Sequence, residues 1–228
     1  MRTDFNLKSF WGRVYAWLYA MIVEHNVINL LRLNFHEVST KQKGEAYRSA
    51  QPTMEQLKRY SKKYGIKTII NLKGHNPKGA YFLFEKEQCE KLGLKLVNIG
   101  IKSRGIPKSE QIAEAKKIFE EVEYPIWMHC KAGSDRTGIY ANLYQYFREK
   151  IVIKDTNQLA FFPFGHVKQS KAGQVDFYFE KFEEYEKENP DAEFYDWTQN
   201  IANRSELEKE FHSSKIADFI NDKILRRQ

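Results

Sequence analysis

The feature that most constrains the fold is a regular alternation of strand-like and helix-like segments between residues 45 and 150. The strand-like segments lie at 45–47, 67–72, 94–101 and 125–129, and a helical pattern follows each of them. Strands separated by helices form βαβ units, in which the strands run parallel and the helices pack on the sheet. The sequence therefore predicts an α/β fold: a central, mostly parallel sheet flanked by helices on both faces, with extra N- and C-terminal helices.

Local signals predict where several of these elements begin and end. Thr53 is expected to cap a helix with Gln56 as its reciprocal partner, and this helix should end near Gly65. A second helix is expected over 80–92, and Ser109 is expected to cap a third. The segment LKLVNIGI at 94–101 alternates apolar and polar residues, which indicates a strand with one buried face.

The chain of 228 residues is basic, with a net charge of +7 and a pI of about 9.1. This balance favours anionic partners, namely phosphorylated substrates, acidic membrane surfaces or nucleic acid, although an ordinary solvated surface has the same composition. Its two cysteines, Cys89 and Cys130, are too few for a disulfide framework. We therefore expect a reducing, cytoplasmic location.

The two ends of the chain differ from its middle. We expect an N-terminal aromatic and basic helical extension over 1–40, a main domain over 41–190 and a C-terminal helical extension over 191–228. The apolar N-terminal stretch contains Arg13 and is too short to span a membrane. Tryptophans such as Trp11 settle at bilayer interfaces. Two interpretations stay open: a helix on an anionic membrane surface, and a helix packed on the domain or on a second subunit.

The stretch HCKAGSDRTG at 129–138 lies between the strand at 125–129 and the helix that follows it. In parallel sheets, ligands collect beyond the carboxyl ends of the strands. Loop amides at such a position point toward one place, and the helix dipole adds positive potential, so the loop attracts an anion. Gly133 allows the backbone to curl closely around that anion.

Cys130 stands at the base of this loop, where the same amides should lower the pKa of its thiol well below the free value of about 8.5. Arg136 can hold two phosphate oxygens, and Thr137 can donate its hydroxyl to the sulfur. His129 is expected to order the loop rather than to transfer protons. A buried core residue and a metal ligand are the competing interpretations of Cys130, and no metal-ligand spacing accompanies it.

The pattern HCx5RT resembles the signature of the cysteine-dependent protein tyrosine and dual-specificity phosphatases. The form HCKAGxxRTG is especially similar to the phosphoinositide-phosphatase branch. YRSAQP at 47–52 and KYGIKTIINLKG at 63–74 resemble the front half of atypical bacterial and plant dual-specificity phosphatases. The likeness covers residues 45–185, so the expected phosphatase domain is 41–190.

The resemblance implies a phosphoric monoester hydrolase without a metal or another cofactor. Cys130 would attack phosphorus to give a phosphocysteine, which water then hydrolyses. Arg136 would stabilise the transferring phosphoryl group together with the loop. The loop residues that would bind its oxygens are Lys131, Ala132, Gly133 and Ser134. Lys102 and Arg104 are expected to form a basic rim for a second phosphate, and Arg48 and Lys73 to approach the same site.

The general acid is harder to assign. Many relatives carry an aspartate on the loop after the strand at 94–101, but here that loop, KSRGIPKS, has no carboxylate. Asp135 is the candidate, because myotubularin-like lipid phosphatases are similar in having an aspartate inside the cysteine loop. The alternative is that Asp135 only orients Arg136 through an ion pair. The residues that follow the next helix, where relatives often place a water-positioning loop, are Asp155, Gln158 and His166.

Two substrate classes compete: phosphotyrosine proteins, and phosphorylated lipid or inositol head groups. Lys131 and the aromatic, basic N-terminus slightly favour the head groups, with a peripheral location on the inner face of the membrane; nucleic acid is not expected as a partner. A catalytically silent phosphate-binding module is the alternative, and the presence of both Cys130 and Arg136 argues against it. Sulfur transfer by a rhodanese-like loop is disfavoured by the five-residue gap between them.

Overall fold

The computed structural model describes residues 5–24, 33–102 and 104–212. Their contacts divide the chain into two compact units that interleave along the sequence. The sheet unit comprises the described residues of 1–37, 43–100 and 123–133. The helical unit comprises those of 38–42, 101–122 and 134–228. The predicted domain boundaries at 40 and 190 stay a prediction.

The strands of the described residues form one five-stranded sheet in the order β1-β2-β5-β3-β4. They are β1 (His36–Glu37), β2 (Ala46–Ser49), β3 (Thr68–Asn71), β4 (Lys95–Asn98) and β5 (Ile126–His129). Only the pairing of β1 with β2 is antiparallel, and the other three pairings are parallel. The predicted α/β fold with a mostly parallel sheet is confirmed.

Helices of the sheet unit are α1 (Phe10–Tyr19), which continues as a π-helical turn (Ala20–Glu24), α2 (Met54–Tyr64) and α3 (Ala80–Leu92). Helices of the helical unit are α4 (Ser109–Glu121), α5 (Asp135–Phe147), α6 (Gln174–Glu188), α7 (Phe194–Asn200) and α8 (Arg204–Glu210). Two 3-10 turns, Ile153–Asp155 and Lys171–Gly173, precede α6. The amphipathic pattern predicted for 205–227 lies mostly outside the described residues.

The ends of α2 confirm the prediction made from local signals. The Gln56 amide donates to Thr53 Oγ1 at 3.1 Å, and the Thr53 amide donates to Gln56 Oε1 at 2.8 Å. Gly65 ends the helix at φ 63°, a left-handed conformation that glycine adopts without strain. The prediction for α4 was wrong by one residue: Lys108 is its N-cap, and Ser109 is already helical.

The burial of each strand in the sheet unit depends on its position in the sheet. All four residues of β3 are buried, because this strand has a neighbour on each side and both of its faces are covered. Ile69 and Trp127 pack on one face with Leu57 and Cys89 from α2 and α3. The strand expected over 94–101 is present as the shorter edge strand β4, in which Lys95 is exposed and Leu96 packs against the core; the alternation fails only at Asn98, which is half-buried like Val97.

Aromatic side chains fill the core of the helical unit. Phe194 and Trp197 of α7 pack against the α6 rings of Tyr178, Phe179 and Phe182, with ring centroids between 5.0 and 5.9 Å apart. Each such ring buries a large apolar area, so this cluster anchors α7 on α6. This packing explains how the C-terminal half of the chain, although rich in charged residues, still forms a hydrophobic core in the helical unit.

Candidate active site

The sulfur of Cys130 lies at the carboxyl end of β5, where the chain turns into the loop 130–134. The Gly133 amide donates to Cys130 Sγ at 3.3 Å. Cys130 exposes only 3% of its surface, so the sulfur forms the floor of the loop. An N–H donated to sulfur stabilises a thiolate more than a neutral thiol, which agrees with the expected nucleophile.

Donors from the sheet unit hold the carbonyl oxygens of the same loop. Arg48 is fully buried, and its Nη2 donates to Gly133 O at 2.7 Å. The side-chain amide of Asn34 donates to Ala132 O at 3.2 Å. The Gln51 amide donates to Lys131 O at 3.3 Å. Carbonyl oxygens would repel an anion, so these donors orient the loop for anion binding.

Gly133 is required for a reason that differs from the one expected. Its φ is +72°, and a Cβ atom there would lie 2.4 Å from Ala50 N and 2.5 Å from Ser49 C. The missing side chain therefore faces the backbone at the end of β2 rather than a bound anion. The loop can approach β2 this closely only because residue 133 has no Cβ.

We expect Gly133→Ala to destabilise the protein far more than Gly65→Ala. Both glycines have positive φ, but a Cβ at Gly65 would meet nothing within 4 Å. Gly65→Ala should cost about 1 kcal/mol of backbone strain, and Gly133→Ala roughly 3 kcal/mol or more because backbone atoms must also move. Urea unfolding of both variants measures the difference, and equal losses would contradict the close approach to β2.

His129 is fully buried at the end of β5. Its Nε2 lies 2.6 Å from Oε1 of Glu85, a fully buried carboxylate on α3. The Tyr81 hydroxyl donates to the same oxygen at 3.2 Å, and burial followed by the Glu85 charge raises the pKa of Tyr81 well above its ordinary value. The ordering role of His129 stays a prediction. Glu85 lies in an ordinary helical pattern and was not predicted.

Helix α5 begins at Asp135, directly after the loop. The Ser134 side chain makes no capping hydrogen bond to α5; its hydroxyl donates to Phe164 O at 2.8 Å, while its carbonyl oxygen accepts from the Gly138 amide at 2.9 Å. Arg136 Nε and Thr137 Oγ1 are both buried without a hydrogen-bond partner among the described residues. A buried donor without a partner is costly, so these two groups are suited to an oxyanion or a thiolate.

Asp135 is buried, and its neighbours come from more distant parts of the helical unit. His166 Nδ1 lies 2.8 Å from Asp135 Oδ1, and His166 Nε2 lies 2.6 Å from Asp176 Oδ2. Burial alone would lower the pKa of His166, but the hydrogen bonds and charges of the two aspartates outweigh it and raise the pKa to about 9. The sequence named His166 only as part of a water-positioning loop, and Asp176 was missed.

The other predicted basic residues fall into both units. Lys102 and Arg104 line a cavity of about 390 Å³ in the helical unit. Lys171, beside the N-terminus of α6, and Arg204 of α8 line the same cavity. In the sheet unit, Lys131 is half-buried, and Lys73 Nζ donates to Gln51 Oε1. Among the described residues, no group of three or more His, Cys, Asp or Glu side chains is arranged to hold a metal ion.

The chain is similar to several solved structures. The active form of Tk-PTP matches with a TM-score of 0.51 and 16% identity, over 65% of this chain and 97% of that one. TpbA from P. aeruginosa matches with a TM-score of 0.49 and 16% identity, over 78% and 89%. The catalytic domain of the PP-IP phosphatase Siw14 from S. cerevisiae matches with a TM-score of 0.44 and 19% identity, over 69% and 93%.

The family assignment comes from sequence. No curated protein matches the chain. The family model described as PTP-NADK, a DSP-PTPase phosphatase fused to NAD+ kinase, matches residues 19–178, which is more than half of the chain. The match includes the Cys130 loop, Asp135 and His166. The chain therefore belongs to this family of dual-specificity-type tyrosine phosphatases, and it is a phosphoric monoester hydrolase.

Proposed function

We propose that the chain hydrolyses phosphate monoesters through a phosphocysteine formed on Cys130. The thiolate attacks phosphorus as the bond to the leaving oxygen breaks, and water then attacks phosphorus and releases the thiolate. The observation that carries this proposal is the hydrogen bond from the Gly133 amide to Cys130 Sγ at 3.3 Å. Hydrolysis of para-nitrophenyl phosphate by the wild type and by Cys130→Ser tests it.

Two buried groups at the start of α5 support the same chemistry. Arg136 Nε has no hydrogen-bond partner among the described residues, and a guanidinium binds two equatorial phosphoryl oxygens as charge builds on them. The Thr137 hydroxyl, also buried without a partner in the described part of the chain, would donate to the sulfur when the thiolate leaves. Asp135 would protonate the leaving oxygen in the first step.

The preferred substrate carries a second phosphate, as on an inositol or phosphoinositide head group. Lys102 and Arg104 share their cavity of about 390 Å³ with two further cations and with the carboxylate of Glu208. Glu208 pairs with Arg204 at 2.6 Å, so the cavity lining keeps an excess of positive charge. Such a cavity attracts a polyanion more strongly than a peptide with one phosphotyrosine.

The N-terminal helix supports a substrate held at an anionic membrane. Its small residues Ala16 and Ala20 pack on α3 against Tyr81 and Phe84. Most exposed large apolar side chains of the described residues belong to this segment: Phe10, Trp11, Tyr15, Trp17, Leu18, Ile22 and Val23. Aromatic rings beside an exposed Lys8 suit an interface with acidic lipids. None of the helices in the described ranges is long and apolar enough to cross a membrane.

One experiment tests both substrate features. Initial rates are measured on a soluble inositol polyphosphate, on a polyphosphorylated phosphoinositide in phosphatidylserine-containing vesicles, and on a phosphotyrosine peptide. Removing the cavity charges with Lys102→Gln/Lys171→Gln should reduce kcat/KM about tenfold on both inositol substrates and little on the peptide. Trp11→Ser/Trp17→Ser should reduce only the vesicle rate, by roughly tenfold.

Matched variants control for charge and for apolar surface. Lys58→Gln/Lys62→Gln removes two exposed cations from α2, and Phe161→Ser/Phe162→Ser removes two exposed rings from the helical unit. Neither control should change the ratio between substrates. A wild-type enzyme that hydrolyses the peptide far faster than either inositol substrate would rule out the head-group proposal. An unchanged vesicle rate in Trp11→Ser/Trp17→Ser would rule out the membrane surface.

A further inference from the structure

Asp135, His166 and Asp176 form a linear, buried cluster inside the helical unit. Asp135 is the first residue of α5, Asp176 lies in the first turn of α6, and His166 precedes α6 on the connecting loop. The two ring nitrogens of His166 each lie within 2.8 Å of a different carboxylate oxygen. His166 is only 2% exposed and Asp135 only 6%, so water competes weakly for these contacts.

The geometry determines how many protons the cluster holds. A neutral imidazole has a single N–H, so it can donate to only one of the two aspartates. Two short contacts therefore require one additional proton, which lies on the imidazole ring or on the carboxyl group of Asp135 or Asp176. These forms are tautomers with the same proton count.

The cluster keeps this proton at neutral pH. The carboxylates of Asp135 from α5 and Asp176 from α6 act on His166 and outweigh the effect of burial, which gives the pKa of about 9. Lys168 is the nearby cation on the same loop, and its ammonium group pairs with Glu180 of α6. The hydrogen bond to Glu180 is the main cause that raises the pKa of Lys168, and the negative charge of Asp176 adds to it.

We propose that Asp135, His166 and Asp176 together are the proton store of the phosphatase reaction, with Asp135 as the group that meets the leaving oxygen. His166 and Asp176 are positioning residues, which act through Asp135. This inference rests on the proposed phosphocysteine mechanism. An isolated aspartate has a pKa of about 3.9 and would be almost entirely ionised at neutral pH, so it would be a poor acid there.

The cluster gives up its proton in the first step of the reaction and regains one in the second. In the first, the sulfur–phosphorus bond forms, the phosphorus–oxygen bond breaks, and the leaving oxygen takes the proton from the cluster. In the second, a water oxygen bonds to phosphorus, the sulfur–phosphorus bond breaks, and the water proton returns to the cluster. Cys130 ends as a thiolate, the cluster is again loaded, and the products are an alcohol and inorganic phosphate.

The test compares pH profiles on an alkyl phosphate and on para-nitrophenyl phosphate. For wild type, kcat on the alkyl phosphate should be level at neutral pH and fall as the pH rises through about 9, because the store then empties. His166→Gln should lower this kcat at pH 7 about a hundredfold and remove the decrease near pH 9, which we call the basic limb of the profile. The loss on para-nitrophenyl phosphate should stay within about threefold, because nitrophenolate leaves without a proton.

Two further variants separate proton storage from structure. Asp176→Asn keeps a polar partner for His166 but removes a charge, so the basic limb should move to lower pH. Glu180→Gln breaks an exposed ion pair on the same helix and should leave the limb unchanged. Circular dichroism is recorded at each pH, since a raised histidine pKa also stabilises the folded state below about 6.5, and that contribution is lost through about 9.

An NMR titration of the His166 ring in the folded protein tests the inference without any activity. A ring that titrates near its ordinary pKa of about 6.5 would overturn the proton store, and so would equal losses on the two substrates in His166→Gln. An enzyme that forms no phosphocysteine contradicts the proposed function instead. A His166 titration near 9 in that same protein would still support the proton-holding cluster.

Discussion

Replacing Cys130 with serine should reduce hydrolysis of para-nitrophenyl phosphate by about 10⁴-fold or more. Serine keeps the shape of the side chain, but its hydroxyl stays protonated at neutral pH and is a weak nucleophile. The Cys130 sulfur accepts the Gly133 N–H at 3.3 Å, a contact that favours the ionised form. Steady-state release of nitrophenol measures the loss, and rapid acid quenching with labelled substrate should trap a phosphoenzyme only when Cys130 is present.

The other cysteine provides the matched control. Cys89 lies in the core of the sheet unit, where burial, followed by the charges of Glu85 and Glu90, raises the pKa of its thiol. It is therefore a neutral core residue, and Cys89→Ala should keep its specific activity at some cost in stability. A tenth or more of wild-type activity in Cys130→Ser, or an equal loss in Cys89→Ala, would contradict a nucleophilic Cys130.

Asp135→Asn should lower kcat much more for substrates with poor leaving groups than for substrates with good ones. On alkyl phosphates we expect kcat to fall about 10²- to 10³-fold, because an alkoxide is a poor leaving group unless an acid protonates it. On para-nitrophenyl phosphate the loss should be less than about tenfold. Asparagine has nearly the shape of aspartate and can still hydrogen bond to His166, but it has no proton to transfer.

A series of phosphate esters with leaving groups of increasing pKa measures this effect as a slope of log kcat. The slope should be steeper for Asp135→Asn than for the wild type. Asp155→Asn changes an exposed aspartate of a 3-10 turn and serves as the control, with an unchanged slope. If Asp135→Asn lowers all rates equally, then Asp135 only orients Arg136, which is the alternative that the sequence left open.

Local features of the fold were predictable because the interactions that set them are local. The Thr53–Gln56 capping box and the left-handed Gly65 lie within one helix, and the ends of α3 at Ala80 and Leu92 match the predicted 80–92. The alternation at 94–101 correctly indicated a strand, but the edge position of β4 was not predictable, because strand order is a property of the whole sheet.

The candidate site likewise combines residues that are neighbours in the sequence with residues that only the tertiary structure brings together. The stretch HCKAGSDRTG places the candidate nucleophile, the arginine and the candidate acid within seven consecutive residues, so their chemistry could be inferred from their order alone. His166 and Asp176 lie 31 and 41 residues after Asp135 and belong to no motif. Only the packing within the helical unit brings them to Asp135, and only the packing within the sheet unit brings Glu85 to His129, 44 residues later.

The sequence by itself determined the family, the fold class and the candidate nucleophile, because these depend on hydrophobic periodicity and on residues that are neighbours in the chain. Tertiary structure alone decided why residue 133 must be glycine, which cations share a cavity, and that His166 lies between Asp135 and Asp176. Each of these depends on atoms that are distant in sequence and close in space, and burial then strengthens their interactions by excluding water.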